Sequence, residues 1–172
     1  MTVPVPSAAA VAAEIRRRRR YVAAMQLHKL LYYVQAYHLV WEGCPAFGED
    51  IEAWDMGPVV ADLWRDEKRG AGVRRSGRGL PESVRNTVTN VLHRYGHMTG
   101  KALSDATHAE DPWRCTGYNQ VISHELLVDY FSRETSEVQR MKRALDQVRN
   151  DAPFVPDPAE ALETLMSEYA PS

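Results

Sequence analysis

Cysteine and long apolar runs are scarce in this sequence of 172 residues, and each scarcity excludes a class of protein. Its two cysteines, Cys44 and Cys115, form no CxxC pair, which favours a reducing compartment over a disulfide framework. No apolar run reaches the roughly 20 residues that a membrane-spanning helix needs. The apolar N-terminus lacks the leading positive charges of a secretory signal. We therefore expect a cytoplasmic protein with no membrane partner.

An excess of positive charge is also missing, since the net charge is −2 and the isoelectric point is near 6.3. The chain as a whole therefore creates no positive field that would hold a nucleic acid. Arg16–Arg20 is a run of arginines, but successive helical positions are about 100° apart, so the charge is spread around the helix. We interpret the run as a solvated helix end. The alternative is a regulator that contacts operator DNA or RNA through these arginines with Arg74, Arg75 and Arg78.

Motifs of the common enzyme classes are absent: there is no GxSxG, P-loop, GxGxxG after a strand or HExxH. His93 and His97 are spaced to share a helical face, but the sequence suggests no third metal ligand near them. His108 precedes Glu110 and Asp111, so a carboxylate-oriented general base is an alternative interpretation. Because no nucleophile or oxyanion donor accompanies His108, we expect it to hydrogen-bond the loop backbone instead. We predict no catalytic residue, no metal site and no cofactor.

Apolar residues at helical spacing dominate the first part of the chain. Ser7 is suited to cap a first helix from Ala8 to about Arg19. A second helix is predicted from about Ala23 to Trp41, ended by Gly43 and Pro45. Its apolar surface extends around most of its circumference, so we expect neighbours on several sides to bury it at the centre of the fold. Its principal face is predicted to contain Leu27, Leu30, Leu31, Val34, His38 and Trp41.

The remaining segments predict further helices and one small sheet. Ile51–Trp54 alternates apolar and polar residues like a strand, with Val121-Ile122 as its predicted partner. Arg69–Leu80 is expected to be a mobile loop, and His108–Gly117 a second loop. The further predicted helices are Pro58–Lys68, Pro81–Tyr95, Thr99–Thr107, a segment from Ser123 through Phe131, a segment from Val138 through Val148, and a last one around Leu162–Tyr169.

These elements predict a mainly α fold. We expect a single helical domain of about seven helices around the central buried helix, with one candidate for a very short two-stranded β-sheet. Residues 1–6 contain two prolines and no periodicity, so they are expected to be a flexible N-terminus. Residues 7–131 are expected to form the domain. Residues 132–172 are expected to form C-terminal helices that pack on the domain or extend from it.

Short motifs follow one another in a fixed order between residues 11 and 131. The first half contains Lys29-Leu30-Leu31-Tyr32-Tyr33, Tyr37-His38-Leu39, Phe47, Ile51-Glu52-Ala53-Trp54 and Gly57-Pro58-Val59-Val60. The second half contains Leu103-Ser104, Thr107-His108, Asp111-Pro112-Trp113, Ile122 and Tyr130-Phe131. In order and separation this series resembles the signature of Panacea-domain proteins, the family that includes the Soc-type antitoxin. Two residues depart from the family pattern: His28 stands where Gln is usual, and Ala46 replaces a bulkier apolar residue.

The resemblance implies an antitoxin of a bacterial toxin–antitoxin pair. Such a protein neutralises a cognate protein toxin by direct contact, and we expect the adjacent gene to encode that toxin. The Soc-type member implies an alternative, an adaptor that delivers its toxin to a Clp-type protease. The family brings no catalytic residues, and a nucleic-acid partner is not expected.

The family motifs supply the candidate site. We interpret its residues mainly as a scaffold lining a shared groove, and they are also the candidate partner-binding positions. Gly57-Pro58 and Pro112-Trp113 preorganise loops, which reduces the ordering cost of binding. Partner choice is expected in the variable surface of Arg69–Leu80 and the C-terminal helix. The candidate residues are Lys29, Tyr32, Tyr33, Tyr37, His38, Trp54, Gly57, Pro58, Thr107, His108, Pro112 and Trp113.

Overall fold

The computed structural model describes residues 4–70 and 79–151 of the chain. Within these ranges it contains seven helices and one two-stranded sheet, so the prediction of a mainly α fold is confirmed. None of the helices in these ranges is both long enough and apolar enough to cross a membrane. The elements in chain order are α1 (Ala8–Arg18), α2 (Ala24–Glu42), β1 (Ile51–Trp54), β2 (Gly57–Val60), α3 (Ala61–Lys68), α4 (Glu82–Tyr95), α5 (Gly100–His108), α6 (Asp111–Arg114) and α7 (His124–Asp151).

Helix α2 is the centre of the fold, as its all-round apolar surface predicts. Every residue from Gln26 to Leu39 is buried, and the helix packs against α1, α4, α5 and β2. Gly43 ends α2 in the left-handed conformation at φ 69°, as predicted for a glycine after the last turn. The side chains of Ser7 and Thr99 accept hydrogen bonds at the starts of α1 and α5, which confirms both predicted caps.

Trp41 departs from the predicted buried face, because 43% of its surface is exposed. It lies in the last turn of α2, beyond Leu39, the last buried residue of that helix. Its ring stacks on Tyr37 with the ring centroids 5.0 Å apart. Helical periodicity predicts the direction of a side chain, but it does not predict where along the helix the covering neighbours end.

The chain from Ile51 to Val60 forms a β-hairpin, so the prediction of a helix beginning at Pro58 is wrong. Strand β2 pairs antiparallel with β1, and α3 begins only at Ala61. Pro58 lies opposite Ala53, whose N–H points away from β2 and donates to the Gln120 carbonyl at 3.0 Å. Ala53 and Pro58 are therefore a non-hydrogen-bonded pair, in which a proline removes no bond from the ladder.

The segment predicted to pair with β1, Val121-Ile122, lies along the other edge of that strand. It contributes one bridge, between Glu52 and Val121, and the N–H of Ile122 donates to the Ile51 carbonyl at 2.8 Å. The strand partner of β1 is β2 instead. A hairpin closed by a two-residue turn orders far less chain than a pairing across some 70 residues, so the local partner is favoured.

The helices in two further segments also differ from the prediction. The expected loop His108–Gly117 contains the one-turn helix α6, in which Pro112 occupies an early position that needs no N–H donor. The helices expected at residues 123–131 and 138–148 are one continuous helix, α7. The polar stretch Ser132–Ser136 interrupts the apolar periodicity but contains neither Gly nor Pro, so nothing in it ends the helix.

Contacts within the chain divide it into two compact units, with the boundary after Glu134. The sequence-based boundaries at residues 6 and 131 stay predictions. The expected mobile loop falls mostly on residues 71–78, and the last expected helix falls on residues 152–172. Both segments lie outside the described residues.

His28 is a buried side chain of α2 that connects this helix to β2. Its Nδ1 atom accepts a hydrogen bond from the N–H of Val60 at 3.2 Å, which leaves the ring proton on Nε2. Across residues 4–70 and 79–151, Nε2 has no hydrogen-bond partner. Burial lowers the pKa of His28 to about 4, so the imidazole is neutral near pH 7.

Gln is the usual residue at this position in the family that the motifs resemble. Replacing His28 with Gln should change how the unfolding free energy depends on pH. Between about pH 6.5 and 4 the unfolded wild type takes up a proton that the folded protein excludes, so its stability falls as the pH falls. H28Q lacks this linkage. We expect the unfolding free energy of H28Q to gain up to about 3 kcal/mol relative to wild type on acidification from pH 7 to 4.

Urea unfolding at several pH values measures this difference. H93Q, a change at an exposed histidine, is the control and should follow the wild-type curve. Parallel curves for wild type and H28Q would show that the buried imidazole is not the source of acid sensitivity.

Candidate functional site

The turn between β1 and β2 is held by side chains that donate to its main-chain carbonyl groups. Two of these side chains come from α5. Ser104 Oγ donates to the Met56 carbonyl at 2.9 Å. The Nε2 atom of His108 lies 2.8 Å from the Asp55 carbonyl. Because a carbonyl oxygen only accepts, Nε2 is the donor in this bond, and both bonds fix the turn against α5.

Two further carbonyl groups are held from α6 and α2. Trp113 Nε1 donates to the Trp54 carbonyl at 2.9 Å. Lys29 Nζ donates to the Pro58 carbonyl at 3.1 Å. Four carbonyl groups within five residues of the hairpin are thus each bonded to a different side chain. We call the four donors, Lys29, Ser104, His108 and Trp113, the carbonyl clamp.

Gly57 lies inside the clamp, where a larger residue has no room. A Cβ atom built on Gly57 would be 2.7 Å from Lys29 Cε and 2.9 Å from Thr107 Oγ1. Its φ of 97° is also a conformation that residues with a side chain rarely adopt. Both constraints require glycine, because the turn must reverse while it lies directly on the lysine and threonine side chains.

Lys29 is a cation buried in the core of the domain, with 1% of its surface exposed. Burial lowers its pKa to about 8, so the ammonium group is still charged near pH 7. A buried charge is costly unless polar atoms surround it. The Pro58 carbonyl is the polar atom bonded to Nζ, and this requirement ties α2 to β2.

A second polar group connects α2 to the start of α6. The hydroxyls of Tyr32 and Tyr33 each donate to one carboxylate oxygen of Glu110, at 2.9 and 2.8 Å. Burial raises the pKa of Glu110 to about 7, although the two hydroxyls lower it. Glu110 immediately precedes α6. These bonds therefore position the short helix that contributes Trp113 to the clamp.

A third polar group joins α2, α4 and the beginning of α7. The Tyr37 hydroxyl donates to Glu134 at 2.8 Å and lies 2.8 Å from the Tyr95 hydroxyl. Arg94 donates to the other oxygen of the same carboxylate at 2.5 Å. The rings of Tyr33 and Tyr95 stack with centroids 3.9 Å apart. This group stabilises the packing of α4 on α2.

The structure brings most, but not all, of the sequence-predicted site residues together. Tyr32, Tyr33 and Tyr37 belong to the two tyrosine–carboxylate groups, and His38 Nδ1 lies 2.9 Å from Thr87 Oγ1 of α4. Pro112 is buried in α6. The predicted residues that meet at the turn are Lys29, Trp54, Gly57, Pro58, Thr107, His108 and Trp113.

The carboxylates that follow His108 in sequence do not orient its ring. Its Nδ1 atom lies 2.5 Å from the Ser104 carbonyl, and its Nε2 atom faces the Asp55 carbonyl. Glu110 bonds the tyrosines instead, and Asp111 pairs with Arg114 at 3.7 Å. His108 thus anchors backbone, and the alternative of a carboxylate-oriented general base is not supported by this geometry.

Sequence reasoning missed three residues of these groups: Ser104, Glu110 and Glu134. Ser104 was visible as a motif residue, but its acceptor is a main-chain atom on another element. The signal for Glu110 is a carboxylate in a predicted loop beside an aromatic motif, but sequence spacing associates this carboxylate only with His108. Glu134 lies in a polar stretch, and no pattern in the sequence distinguishes it from its exposed neighbours.

The motifs around the turn match a known family. The family model described as "Antitoxin SocA-like, Panacea domain" covers residues 27–114, which are 88 of the 172 residues. The chain belongs to this Panacea-domain family. No curated protein and no solved structure gives a match.

The matched part of the Panacea domain extends from α2 to α6 and contains the whole carbonyl clamp. The resemblance inferred from the motifs is therefore confirmed. Membership in this antitoxin-like family supports an antitoxin-type role and suggests that the role is not enzymatic.

Replacing Gly57 with Ala tests the space inside the clamp. We expect G57A to lose about 3 kcal/mol of unfolding free energy, because the new Cβ meets Lys29 and Thr107 in a strained backbone conformation. G43A is the matched control: Gly43 also has a positive φ, but a Cβ there meets nothing within 4 Å. It should lose only about 1 kcal/mol. If G57A and G43A lost equal amounts of unfolding free energy in urea, the space around Gly57 would not be filled by Lys29 and Thr107.

Replacing His108 with Gln tests whether this histidine is an anchor. A glutamine is too short to reproduce the bond from Nε2 to the Asp55 carbonyl, so we expect H108Q to melt about 3–6 °C lower while remaining folded at 25 °C. H97Q, a change at an exposed histidine, should melt like wild type. An H108Q protein that melts at the wild-type temperature but has lost its biological activity would assign His108 a chemical role instead.

Proposed function

We propose that this protein neutralises a cognate toxin protein by binding it directly, in the cytoplasm. The proposal is carried by the carbonyl clamp within the matched antitoxin-like domain. Its polar side chains bond main-chain carbonyl groups, so they act by fixing the shape of a surface. A surface fixed before binding loses little conformational entropy when the partner arrives, which increases affinity.

The tyrosine–carboxylate groups support the same role. Tyr32 and Tyr33 hold the segment before α6 through Glu110, and Tyr37 holds α4 and the beginning of α7 through Tyr95 and Glu134. Buried, fully bonded polar groups rigidify a core and specify one arrangement. Preorganised binding proteins typically change little between their free and bound states. This scaffold suits recognition by a rigid surface.

The arginine run weighs against the nucleic-acid alternative. Arg17 and Arg18 both pair with Glu14, at 2.9 and 2.7 Å, and Arg16 pairs with Glu67 at 2.7 Å. Cations that already bond carboxylates would have to exchange these partners for phosphates. The proposed regulator predicts a gel shift of the protein's own promoter DNA at low salt, and we expect none.

Co-expression with the product of the adjacent reading frame tests the proposed function. We expect that product to arrest growth when expressed alone, and this chain to restore growth and co-purify with it in a fixed ratio. If this chain neither restores growth nor forms a complex with that product, the proposal is wrong.

The lifetime of the toxin separates neutralisation by binding from delivery to a protease. Direct binding predicts that the half-life of the toxin is unchanged or longer when this protein is present. A shorter half-life that depends on a Clp-type protease would instead favour the adaptor function.

A further inference from the structure

We infer that the toxin docks on the β1–β2 turn and the segment beside it, an inference that rests on the proposed function. The surface, which we call the turn patch, consists of Asp55, Met56, Tyr118 and Val121. The three apolar members are large and exposed: Met56 is 56% exposed, Tyr118 63% and Val121 48%. The partner that fits this surface presents an apolar pocket with lysine or arginine at its rim.

Main-chain bonds hold the two parts of the turn patch together. The N–H of Asn119 donates to the Ala53 carbonyl at 2.8 Å, and Val121 bridges Glu52. This segment runs antiparallel to β1, so moving from Val121 back to Tyr118 leads toward the end of β1 where the turn begins. Tyr118 and Met56 therefore belong to one end of the hairpin.

The clamp fixes the backbone under the exposed side chains. The carbonyl groups of Asp55 and Met56 are bonded to His108 and Ser104, while the side chains of both turn residues are exposed. A side chain on a fixed backbone has only its own rotamers to lose on binding. Methionine adapts to irregular apolar pockets, and tyrosine is enriched among residues that dominate binding energy.

Aromatic residues support the patch from the side of β1. Trp54 is half-buried and makes an edge-to-face contact with Trp64 of α3, with ring centroids 5.2 Å apart. Its Nε1 atom donates to Glu52 at 2.8 Å, and its carbonyl is held by Trp113. Strand β1, which leads into the turn, is therefore fixed on both sides. We expect it to keep its conformation when a partner binds.

Charge at the patch determines the partner's chemistry. In the described part of the chain, no cation lies within ion-pair distance of the exposed Asp55 carboxylate. Arg65 of α3 pairs with Glu52, and Arg114 of α6 pairs with Asp111. These two arginines are thus paired with carboxylates, and the ammonium of Lys29 is buried on the Pro58 carbonyl, which leaves the exposed Asp55 to attract a positively charged partner group.

Matched methionine variants locate the interface on the full chain. The adjacent gene product is the probe, and its dissociation constant is measured by calorimetry. M56D should weaken binding by about tenfold or more, because it places a charge at the centre of an apolar contact. M141D is the control, since Met141 is a similarly exposed methionine on α7 at 65% exposure. It should bind like wild type.

Matched aspartate variants test the charge of the partner. D55K should weaken binding by about tenfold and abolish the loss of affinity that wild type shows as salt is increased. D129K changes an exposed aspartate on α7 and should retain wild-type affinity. Unchanged melting temperatures verify that the variants are folded.

The outcomes separate this inference from the proposed function. If wild type binds and rescues while M56D and D55K do so equally well, the turn patch is not the interface and the antitoxin role stands. A loss of binding in M141D but not in M56D would also overturn the inference. If wild type itself neither binds nor rescues, both fail.

Discussion

The fold depends on the hydrogen bonds between the main-chain carbonyl groups of the β1–β2 turn and side chains from three helices. The carbonyl groups at Trp54, Asp55, Met56 and Pro58 each bond a side chain of α2, α5 or α6. The Pro58 carbonyl is buried, where a carbonyl without a partner would be costly. The positions of the three helices are constrained by this one turn. The buried ammonium of Lys29 is acceptable for the same reason, because it too finds its partner there.

Positioning the donors requires a frame, which the tyrosine–carboxylate groups supply. Glu110 receives the hydroxyls of Tyr32 and Tyr33 at the start of α6, one turn before the indole that reaches Trp54. Ser104 and His108 occupy successive turns of α5, so one helix face contributes two donors. The Panacea domain thus combines local helix geometry with a few long-range polar bonds to hold a short turn in one conformation.

Local signals in the sequence were sufficient for much of this fold. Ser7, Gly43 and Thr99 mark helix ends through their own side chain or backbone freedom, and the structure confirms each. The prediction that a helix begins at Pro58 was wrong because the Gly57-Pro58 dipeptide does not encode the pairing of Pro58 with Ala53 in the hairpin. The motif residues of the site were recognisable by resemblance. Their meeting point was not, because main-chain acceptors have no sequence identity and any residue at Asp55 or Met56 would offer the same oxygen.

The central claim is that the clamp holds the free turn rigid before any partner binds. Backbone ¹⁵N relaxation of the full chain measures this directly at Asp55, Met56 and Gly57. The clamp predicts order parameters of about 0.85, equal to those of the buried helix α2. Order parameters below about 0.6 at these three residues would contradict a preorganised turn.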